Sequence, residues 1–348
     1  MNTVPEIIEG QYFQDLMAQP QALRATLAWL SEAGRWEAAR KFVRARSWRR
    51  VVLTGMGSSY HTLHPINLTL IEAGLNPVMM ETSELVHYGV PLLDEQTLIV
   101  AVSQSGGSAE TVRLLDLDRR ARVLGVTNTA ASALAQRADL ALLSQAGPEF
   151  SVSCKTYVAN MLMLQWLAAV LSGQDEAQCL APLKSAPDLV AAYLQGWRAN
   201  SEVLADKLRG IRHLFLTGRG SSLSAVGTGA LIIKEAARVH AEGMSSAAFR
   251  HGPIEMLGPD TLIGIFSGDT RTQALNHRLA RDLLVRGAHC YEVGNDATLA
   301  AFRVADCPPV LRPILEILPV QMMTLALAGL IGREAGHFEQ ATKITGTE

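Results

Sequence analysis

Three serines and a glutamine lie within six residues, directly after a run of apolar residues. They are Ser103, Gln104, Ser105 and Ser108, and they surround Gly106 and Gly107. Hydroxyl groups and backbone N–H groups at a glycine turn ahead of a helix can donate hydrogen bonds to a phosphate. No Lys or Arg occurs from Ser103 to Thr111, so a phosphate here would rest on uncharged donors and the helix dipole. An ordinary N-capped loop has the same composition, and the pattern alone does not separate the two.

Two residues in the second half could move protons. Glu235 lies in a largely apolar helical segment, where partial desolvation would raise the pKa of its carboxyl and suit it to proton transfer at carbon. His251 follows the small residues Ser245–Ala248 and precedes Pro253, so we expect it at a loop or helix end. An imidazole there is suited to opening a sugar ring. Structural alternatives stay open: Lys234-Glu235 as a solvated helix face, and His251 as a helix cap.

The histidines and cysteines do not predict a metal centre. His61 and His64 are three residues apart, but no Cys or carboxylate lies at ligand spacing from them. The nine histidines form no HExxH-type set. The four cysteines are far apart, with no CxxC pair, as in reduced thiols of a cytoplasmic protein. We therefore expect neither a metal nor a cofactor.

A repeat predicts the elements that position these residues. Thr54-Gly-Met-Gly-Ser-Ser59 returns as Thr217-Gly-Arg-Gly-Ser-Ser222, 163 residues later (217 − 54). Each copy follows a short apolar run and leads into a helix-length segment, which indicates one strand–glycine turn–helix unit used twice. Where the first half has its serines, the second has Ser267-Gly-Asp-Thr270, and Asp269 would repel an anion. The halves are therefore predicted to be alike in fold and unlike in chemistry.

Strands alternate with helices after the first 48 residues, which predicts an α/β fold with two doubly wound parallel sheets related by internal duplication. The predicted domains are N-terminal helices over residues 1–48, a phosphate-binding domain over 49–181, and a second domain with the catalytic segment and C-terminal tail over 182–348. One long helix is predicted over Leu189–Leu208. The predicted strands are Arg50–Thr54, Pro77–Glu81, Thr97–Val102, Arg122–Thr127, Leu140–Leu143, His213–Thr217, His240–Met244, Thr261–Phe266, His289–Val293 and Pro309–Leu311.

Composition restricts the partners. The formal net charge is −2 and 48% of the residues are hydrophobic, without a long run of Lys or Arg that would form a nucleic-acid face. Thr156–Gly173 and Ile317–Gly332 are long uncharged stretches, but each contains polar residues and is interpreted as a buried helix. The first 30 residues have no signal-type apolar core. We expect a cytoplasmic protein that binds a small molecule and neither nucleic acid nor a membrane.

Several segments together resemble one family. They are Gly57-Ser-Ser-Tyr60, Ser103-Gln-Ser-Gly106, Ala146-Gly-Pro-Glu149 with Val152-Ser-Cys-Lys155, Lys234-Glu235 with His240-Ala-Glu242, His251-Gly-Pro253, and the tail Ala341-Thr-Lys-Ile-Thr-Gly-Thr-Glu348. From about residue 49 to the last residue, the chain resembles the sugar isomerase (SIS) domain family. The similarity is to the two-SIS-domain isomerase half of glucosamine-6-phosphate synthase and to its deaminase and deglycase relatives. The resemblance implies two flavodoxin-like SIS domains.

The resemblance also implies roles for individual residues. The residues that would hold the phosphate of a sugar phosphate are Ser59, Ser103, Gln104, Ser105 and Ser108. Val152 and Ser153 would line the sugar, in a loop one residue shorter than in the synthase. Glu235 would move a proton between C1 and C2, and Lys343 would close the tail over the substrate. His251 would assist ring opening in the neighbouring subunit, which implies a homodimer.

The chain departs from the synthase pattern at two positions. Ile232 stands where the synthase has the lysine that forms a Schiff base, and Lys234 lies about 100° away around the helix. Thr228 stands where the synthase has another glutamate. The chain begins Met1-Asn-Thr3, without the nucleophilic cysteine of a glutaminase domain. We therefore expect no internal source of ammonia, and mass action then favours the direction that releases nitrogen.

These observations predict an enzyme that deaminates or deglycates an amino sugar 6-phosphate, coupled to aldose–ketose isomerisation. Glucosamine 6-phosphate and a fructosamine 6-phosphate are both open as substrates. One alternative is a phosphosugar isomerase that releases no nitrogen. Another is a sugar-phosphate sensor without turnover, which is disfavoured because both Glu235 and His251 are retained and the first 48 residues show no clear recognition helix.

Overall fold

The chain divides into two compact units in a computed structural model that describes residues 6–347. The five-stranded unit comprises Gln21–Glu149, Cys154–Ser185 and Ala341–Glu348. The four-stranded unit comprises Met1–Pro20, Phe150–Ser153 and Ala186–Gln340. The start Met1-Asn-Thr3 and the last residue, Glu348, lie outside the described residues. The domain boundaries at residues 48 and 181 stay predictions.

The sheet of the five-stranded unit is parallel throughout, with the order β2-β1-β3-β4-β5. Its strands are β1 (Arg50–Gly55), β2 (Pro77–Glu81), β3 (Thr97–Val102), β4 (Arg122–Thr127) and β5 (Leu140–Leu143). Every residue of β3 is buried, as expected for a central strand covered by helices on both faces. This strand order is the flavodoxin-like one, in which ligands bind at the carboxyl ends of the first and third strands.

The sheet of the four-stranded unit repeats this order with one strand fewer. Its strands are β6 (His213–Gly218), β7 (His240–Ser245), β8 (Thr261–Phe266) and β9 (His289–Val293). They are all parallel and lie in the order β7-β6-β8-β9. The predicted α/β class with two doubly wound parallel sheets is confirmed.

Helices connect the strands of both sheets. In chain order they are α1 (Gln11–Met17), α2 (Gln19–Leu30), α3 (Arg35–Arg44), α4 (Gly57–His61), α5 (Leu63–Glu72), α6 (Thr82–Tyr88), α7 (Ala109–Asp116), α8 (Ala133–Arg137), α9 (Lys155–Leu171), α10 (Glu176–Leu183), α11 (Ala186–Gln195), α12 (Trp197–Leu208), α13 (Leu223–Ala237), α14 (Ser246–Arg250), α15 (Gln273–Val285) and α16 (Arg312–Leu330). Short 3₁₀ turns cover Val90–Leu92, Gly220–Ser222, Pro253–Met256, Ala300–Phe302 and Pro309–Leu311.

Two predicted elements were wrong. Pro309–Leu311 is a 3₁₀ turn and not a strand, because Pro308 and Pro309 fix the backbone and remove the N–H groups that a sheet ladder needs. The helix predicted over Leu189–Leu208 is two helices, α11 and α12, which are separated at Gly196. Glycine lowers the stability of a helix interior, so it is a favourable place for this break.

The two long apolar stretches are helices, as predicted, and both are buried. All residues of α9 except Leu171 are buried. The stretch Pro309–Leu330 is long and apolar enough to cross a membrane by length and composition, but 89% of its most apolar window is buried inside the protein. A core helix has the same composition, since a helix that is apolar all round is covered on every side.

Candidate functional site

Two turns follow the carboxyl ends of neighbouring strands. The first glycine turn (Thr54–Ser59) follows β1, and the serine-rich turn (Ser103–Ser108) follows β3. Gly55, the last residue of β1, pairs with Val102, the last residue of β3. A Cβ atom on Gly55 would lie 2.9 Å from the carbonyl oxygen of Val102 and 3.0 Å from the carbonyl carbon of Ser59. Because Gly55 has no side chain, Ser59 can pack directly against the junction of the two strands. Ser59 and the turn that starts at Ser103 therefore lie at the same edge of the sheet, where doubly wound folds bind ligands.

The serine loop, residues Ser103–Ser108, is organised by its own hydroxyl groups. The Oγ atom of Ser103 accepts a hydrogen bond from the N–H of Gly106 at 3.1 Å, and that of Ser105 accepts from Gly107 at 3.3 Å. Ser108 caps α7 by accepting from the N–H of Thr111 at 3.4 Å. A hydroxyl that accepts in this way can still donate its own proton to a ligand oxygen.

The backbone of the serine loop is fixed on one side and open on the other. The carbonyl of Gln104 accepts from the N–H of Asn128 at 3.1 Å, which ties the loop to the end of β4. Gly106 has a φ of +62°, and a Cβ atom there would lie 2.2 Å from Oγ of Ser132. The Cβ position of Gly107, by contrast, has only the carbonyl oxygen of Ser105 within 4 Å, at 3.9 Å. A ligand can therefore approach along the Gly107 side of a preorganised loop.

The carboxyl-terminal tail lies against the start of α7. The carbonyl of Thr345 accepts from the N–H of Ala109, the first residue of that helix, at 3.1 Å. A cavity of about 410 Å³ lies here, and its lining residues are Gly107, Ala109, Val112, Arg113, Asp116 and Gly346. Arg113 and Asp116 bring charges of opposite sign to this cavity. Arg113 lies two residues beyond the stretch Ser103–Thr111, so the composition of that stretch did not predict it.

Glu149 joins the tail to the longest helix of the five-stranded unit. Its side chain has no exposed surface, and its Oε2 atom lies 2.8 Å from Nζ of Lys343. The Oε1 atom accepts from the N–H groups of Cys154 and Thr156 at 2.9 and 3.0 Å, and the Thr156 hydroxyl donates to Oε2 at 2.7 Å. Glu149 thus caps the amino end of α9 and pairs with the tail lysine. Glu149 belongs to the family-like segment Ala146-Gly-Pro-Glu149, but the sequence did not predict this role.

The remaining predicted residues belong to the four-stranded unit. The side chain of Val152 is 1% exposed, and Ser153 is half-buried. Glu235 is half-buried in the last turn of α13. His251 is exposed at the carboxyl end of α14, where its N–H donates to the carbonyl of Ala248 at 2.9 Å. The structure thus groups Ser59, the serine loop and the tail that carries Lys343 in one unit, and the roles of all these residues stay predictions.

A family model for the SIS domain matches residues 45–170 and 207–326, so each match covers one sheet. The chain belongs to the SIS-domain family. It is 33% identical over 299 residues to the glutamine–fructose-6-phosphate aminotransferase (isomerizing) of Pyrococcus horikoshii. The aligned region covers 81% of this chain and 49% of that relative. The SIS-domain chain spans about half the length of the curated relatives it matches.

Two solved structures share the fold of this SIS-domain protein. One is the C-terminal domain of glucosamine-fructose-6-phosphate aminotransferase from Francisella tularensis, with a TM-score of 0.83, 19% identity, and coverage of 93% of this chain and 97% of that one. The other is glucosamine-6-phosphate deaminase from Thermotoga maritima, with a TM-score of 0.76, 19% identity, and coverage of 97% and 100%. The resemblance drawn from the sequence motifs is confirmed.

The second glycine turn of this SIS-domain protein, Thr217–Ser222, contacts a buried acid on α16. Ser222 donates a hydrogen bond to Oε1 of Glu316 at 3.0 Å, and Glu316 is fully buried. Burial raises the pKa of Glu316 to about 7, and the nearby charge of Asp269 acts in the same direction. Asp269 itself accepts the N–H of Arg271 at 3.0 Å. The hydrogen bond from Ser222 and the charge of Arg312 act in the opposite direction, so the second turn lies beside a buried acid with charges of both signs around it.

Imidazoles lie beside the first glycine turn of this SIS-domain protein. The rings of His61 and His64 are stacked, with centroids 6.2 Å apart. Burial, together with the neighbouring His61, lowers the pKa of His64 to about 4, so this ring is neutral at physiological pH. Residues 6–347 contain no group of three or more His, Cys, Asp or Glu side chains arranged to hold a metal ion.

Proposed function

We propose that this protein is a phosphosugar-processing enzyme that releases nitrogen from an amino sugar 6-phosphate while it isomerises the sugar. Glucosamine 6-phosphate and a fructosamine 6-phosphate are the candidate substrates. The observation that carries the proposal is the serine loop. Its hydroxyl and N–H groups lie at the carboxyl end of β3, at the switch point of a flavodoxin-like sheet, where this architecture binds phosphorylated ligands.

The phosphate would be held by uncharged donors with one guanidinium close by. Ser59 and the serine loop supply hydroxyl groups, and α7 supplies the positive end of its dipole. Arg113 lines the cavity at the same helix and would attract an anion, with Asp116 on the same lining acting against it. The tail would close over the sugar, with Lys343 positioned through Glu149.

The chemistry would depend on Glu235. With open-chain glucosamine 6-phosphate, the carboxylate would remove the proton from C2 to give an enolamine and return it to C1, which leaves an imine at C2. Water would then add to C2, and ammonia would leave to give the ketose phosphate. With a fructosamine phosphate the proton would move from C1 to C2, and water would release the amine from C1. In both cases Glu235 acts as the general base and then the general acid.

His251 would open the ring before this proton transfer. Its exposed position at the end of α14 suits a side chain that serves the neighbouring subunit of a homodimer. An imidazole can accept the ring hydroxyl proton and donate one to the ring oxygen. The homodimer and the contribution of His251 across it are part of the proposal.

A phosphosugar isomerase without nitrogen release is the second candidate, and α13 carries the observation that favours it. Ile232, at the position of the synthase lysine, is fully buried, and the neighbouring Lys234 is exposed. The helix therefore brings an apolar side chain, and no amine, to the position where the synthase forms its Schiff base. Without a lysine there, release of nitrogen requires water to attack the sugar imine directly. A phosphosugar isomerase does not need this step, so the apolar side chain is compatible with it.

A substrate panel tests the proposal. The full chain is incubated with glucosamine 6-phosphate, phosphorylated fructosamines and unmodified hexose 6-phosphates, and both nitrogen release and the sugar products are measured. Release of ammonia or an amine with a matching amount of sugar phosphate supports the proposal. Interconversion of aldose and ketose phosphates with no release from any amino sugar selects the isomerase. Binding of sugar phosphates in a thermal-shift assay, without any turnover, would replace both with a sensor.

A further inference from the structure

We propose that His213 and His240 form a surface zinc site at the amino-terminal end of the four-stranded sheet. The two residues are the first register pair of β6 and β7, so they lie side by side on one face of the sheet. Their Nδ1 atoms are 3.3 Å apart. Because β7 is the edge strand and the side chain of His240 is 49% exposed, an ion can reach the pair from solvent.

The separation of the two nitrogens matches one coordination geometry. Two imidazole nitrogens bound to a tetrahedral zinc ion, each at about 2.0–2.1 Å, lie about 3.3–3.4 Å apart. Neighbouring ligands of a square-planar ion at the same bond lengths lie about 2.9 Å apart. The observed distance of 3.3 Å, at which the two rings share a hydrogen bond that an ion would replace, therefore lies in the range for tetrahedral zinc. Imidazole is also among the ligands that zinc prefers.

Glu242 favours the ring form that zinc needs. Its Oε1 atom lies 3.6 Å from Nε2 of His240, the ring nitrogen that points away from His213. A carboxylate at that position attracts the proton to Nε2 and leaves the lone pair of Nδ1 available to the ion. Residues 240 and 242 share a face because side chains alternate along a strand. Glu242 would therefore act as an orienting residue and not as a ligand.

This zinc site would clamp the sheet and take no part in the sugar chemistry. His213 begins β6, and the glycine turn follows the other end of that strand at Gly218. The start of β7 lies three residues after the end of α13, which carries Glu235, so the ion would fix the segment that follows this helix. With two protein ligands, two positions are left for water or another donor. Binding is therefore expected to be reversible and weaker than at a closed four-ligand site.

Calorimetric titration of the tag-free, metal-stripped full chain with zinc chloride tests the site. We expect one equivalent of zinc to bind, with an affinity that falls by at least about 100-fold in both His213→Ala and His240→Ala. Glu242→Gln should lower the affinity by roughly 10–100-fold, as is typical when an orienting carboxylate is removed. His289→Ala is the matched control, since His289 begins β9 at the same amino-terminal end of the sheet but pairs with Leu262 on the opposite face.

Cobalt substitution reports the geometry. Tetrahedral cobalt absorbs visible light strongly and octahedral cobalt weakly, so the parent should show the strong bands and His213→Ala should lose them. Circular dichroism of each variant confirms that it is folded. The proposal is overturned if the parent binds no zinc, if both histidine variants bind zinc as the parent does, or if cobalt in the parent is octahedral.

Discussion

The amino group of Lys343 lies 2.8 Å from Oε2 of Glu149, whose side chain has no exposed surface. The same carboxylate accepts the first N–H groups of α9. Two residues after the lysine, the carbonyl of Thr345 accepts the first N–H of α7. The tail is therefore tied to the amino ends of two helices, one of which begins at the serine loop. Release of the tail would alter the environment of that loop.

Glu149→Gln is expected to loosen the tail. The amide oxygen can still accept the two N–H bonds at the start of α9. The NH₂ group, however, takes the place of Oε2, where it meets the Lys343 ammonium group without the charge that held it. We expect the free energy of unfolding to fall by about 1–3 kcal/mol, measured by urea denaturation. Limited proteolysis should also cut the tail faster. Glu84→Gln, on the exposed face of α6, is the matched control. A parental cleavage rate in Glu149→Gln would contradict the coupling.

Changing both Glu149 and Lys343 should lower the free energy of unfolding by less than the sum of the two single changes. Lys343→Met leaves the Glu149 carboxylate buried without its cation, whereas the double variant Glu149→Gln/Lys343→Met leaves no charge uncompensated. A double-mutant cycle on unfolding free energies is expected to give a coupling of about 1 kcal/mol or more. Additive single changes would mean that the contact contributes little to stability.

Gly106→Ala should damage the phosphate site. At a φ of +62°, with Oγ of Ser132 only 2.2 Å from the new Cβ atom, the loop must shift. We expect a loss of about 1–3 kcal/mol in stability and at least about tenfold weaker binding of a hexose 6-phosphate, measured by calorimetry. Gly107→Ala is the matched control for stability, because its Cβ atom would meet only the carbonyl oxygen of Ser105, at an ordinary contact distance of 3.9 Å. Equal stability of the two variants would contradict the strain argument.

Glu235→Gln tests the proton transfer. Glutamine keeps the shape of the side chain but cannot accept and return a proton, so we expect kcat to fall by at least about 100-fold. Binding of the sugar phosphate should stay nearly unchanged, since its phosphate would be held by the serine loop. Glu202→Gln, exposed on α12, is the control. Unchanged turnover in Glu235→Gln would remove the proposed mechanism.

Glu316 should make the protein less stable as pH rises. Its folded pKa of about 7 is above the ordinary value of 4.5, so below pH 4.5 both the folded and unfolded chains bind the proton. Between pH 4.5 and 7 only the unfolded chain releases it, and the free energy of unfolding falls by up to about 3 kcal/mol. Glu316→Gln should remove this slope in urea titrations at several pH values. An unchanged slope would mean that another group causes it.

The sequence predicted the architecture well because that information is local and periodic. The repeat of Thr54–Ser59 at Thr217–Ser222 and the apolar run Thr97–Val102 were enough to indicate two parallel sheets with glycine turns. The wrong elements were segments that contain proline or glycine. At Pro309 and Gly196 backbone chemistry, more than side-chain periodicity, determines the structure.

The sequence by itself determined the fold class, the duplicated turn and the family, since each depends on residues that are neighbours along the chain. Only the tertiary structure decided that Glu149 pairs with Lys343, 194 residues away, and that Ser222 meets the buried Glu316, 94 residues away. It also placed His213 beside His240 through the register of two strands. No local pattern encodes these pairs, because strand register and the burial of charge are set when distant segments pack together.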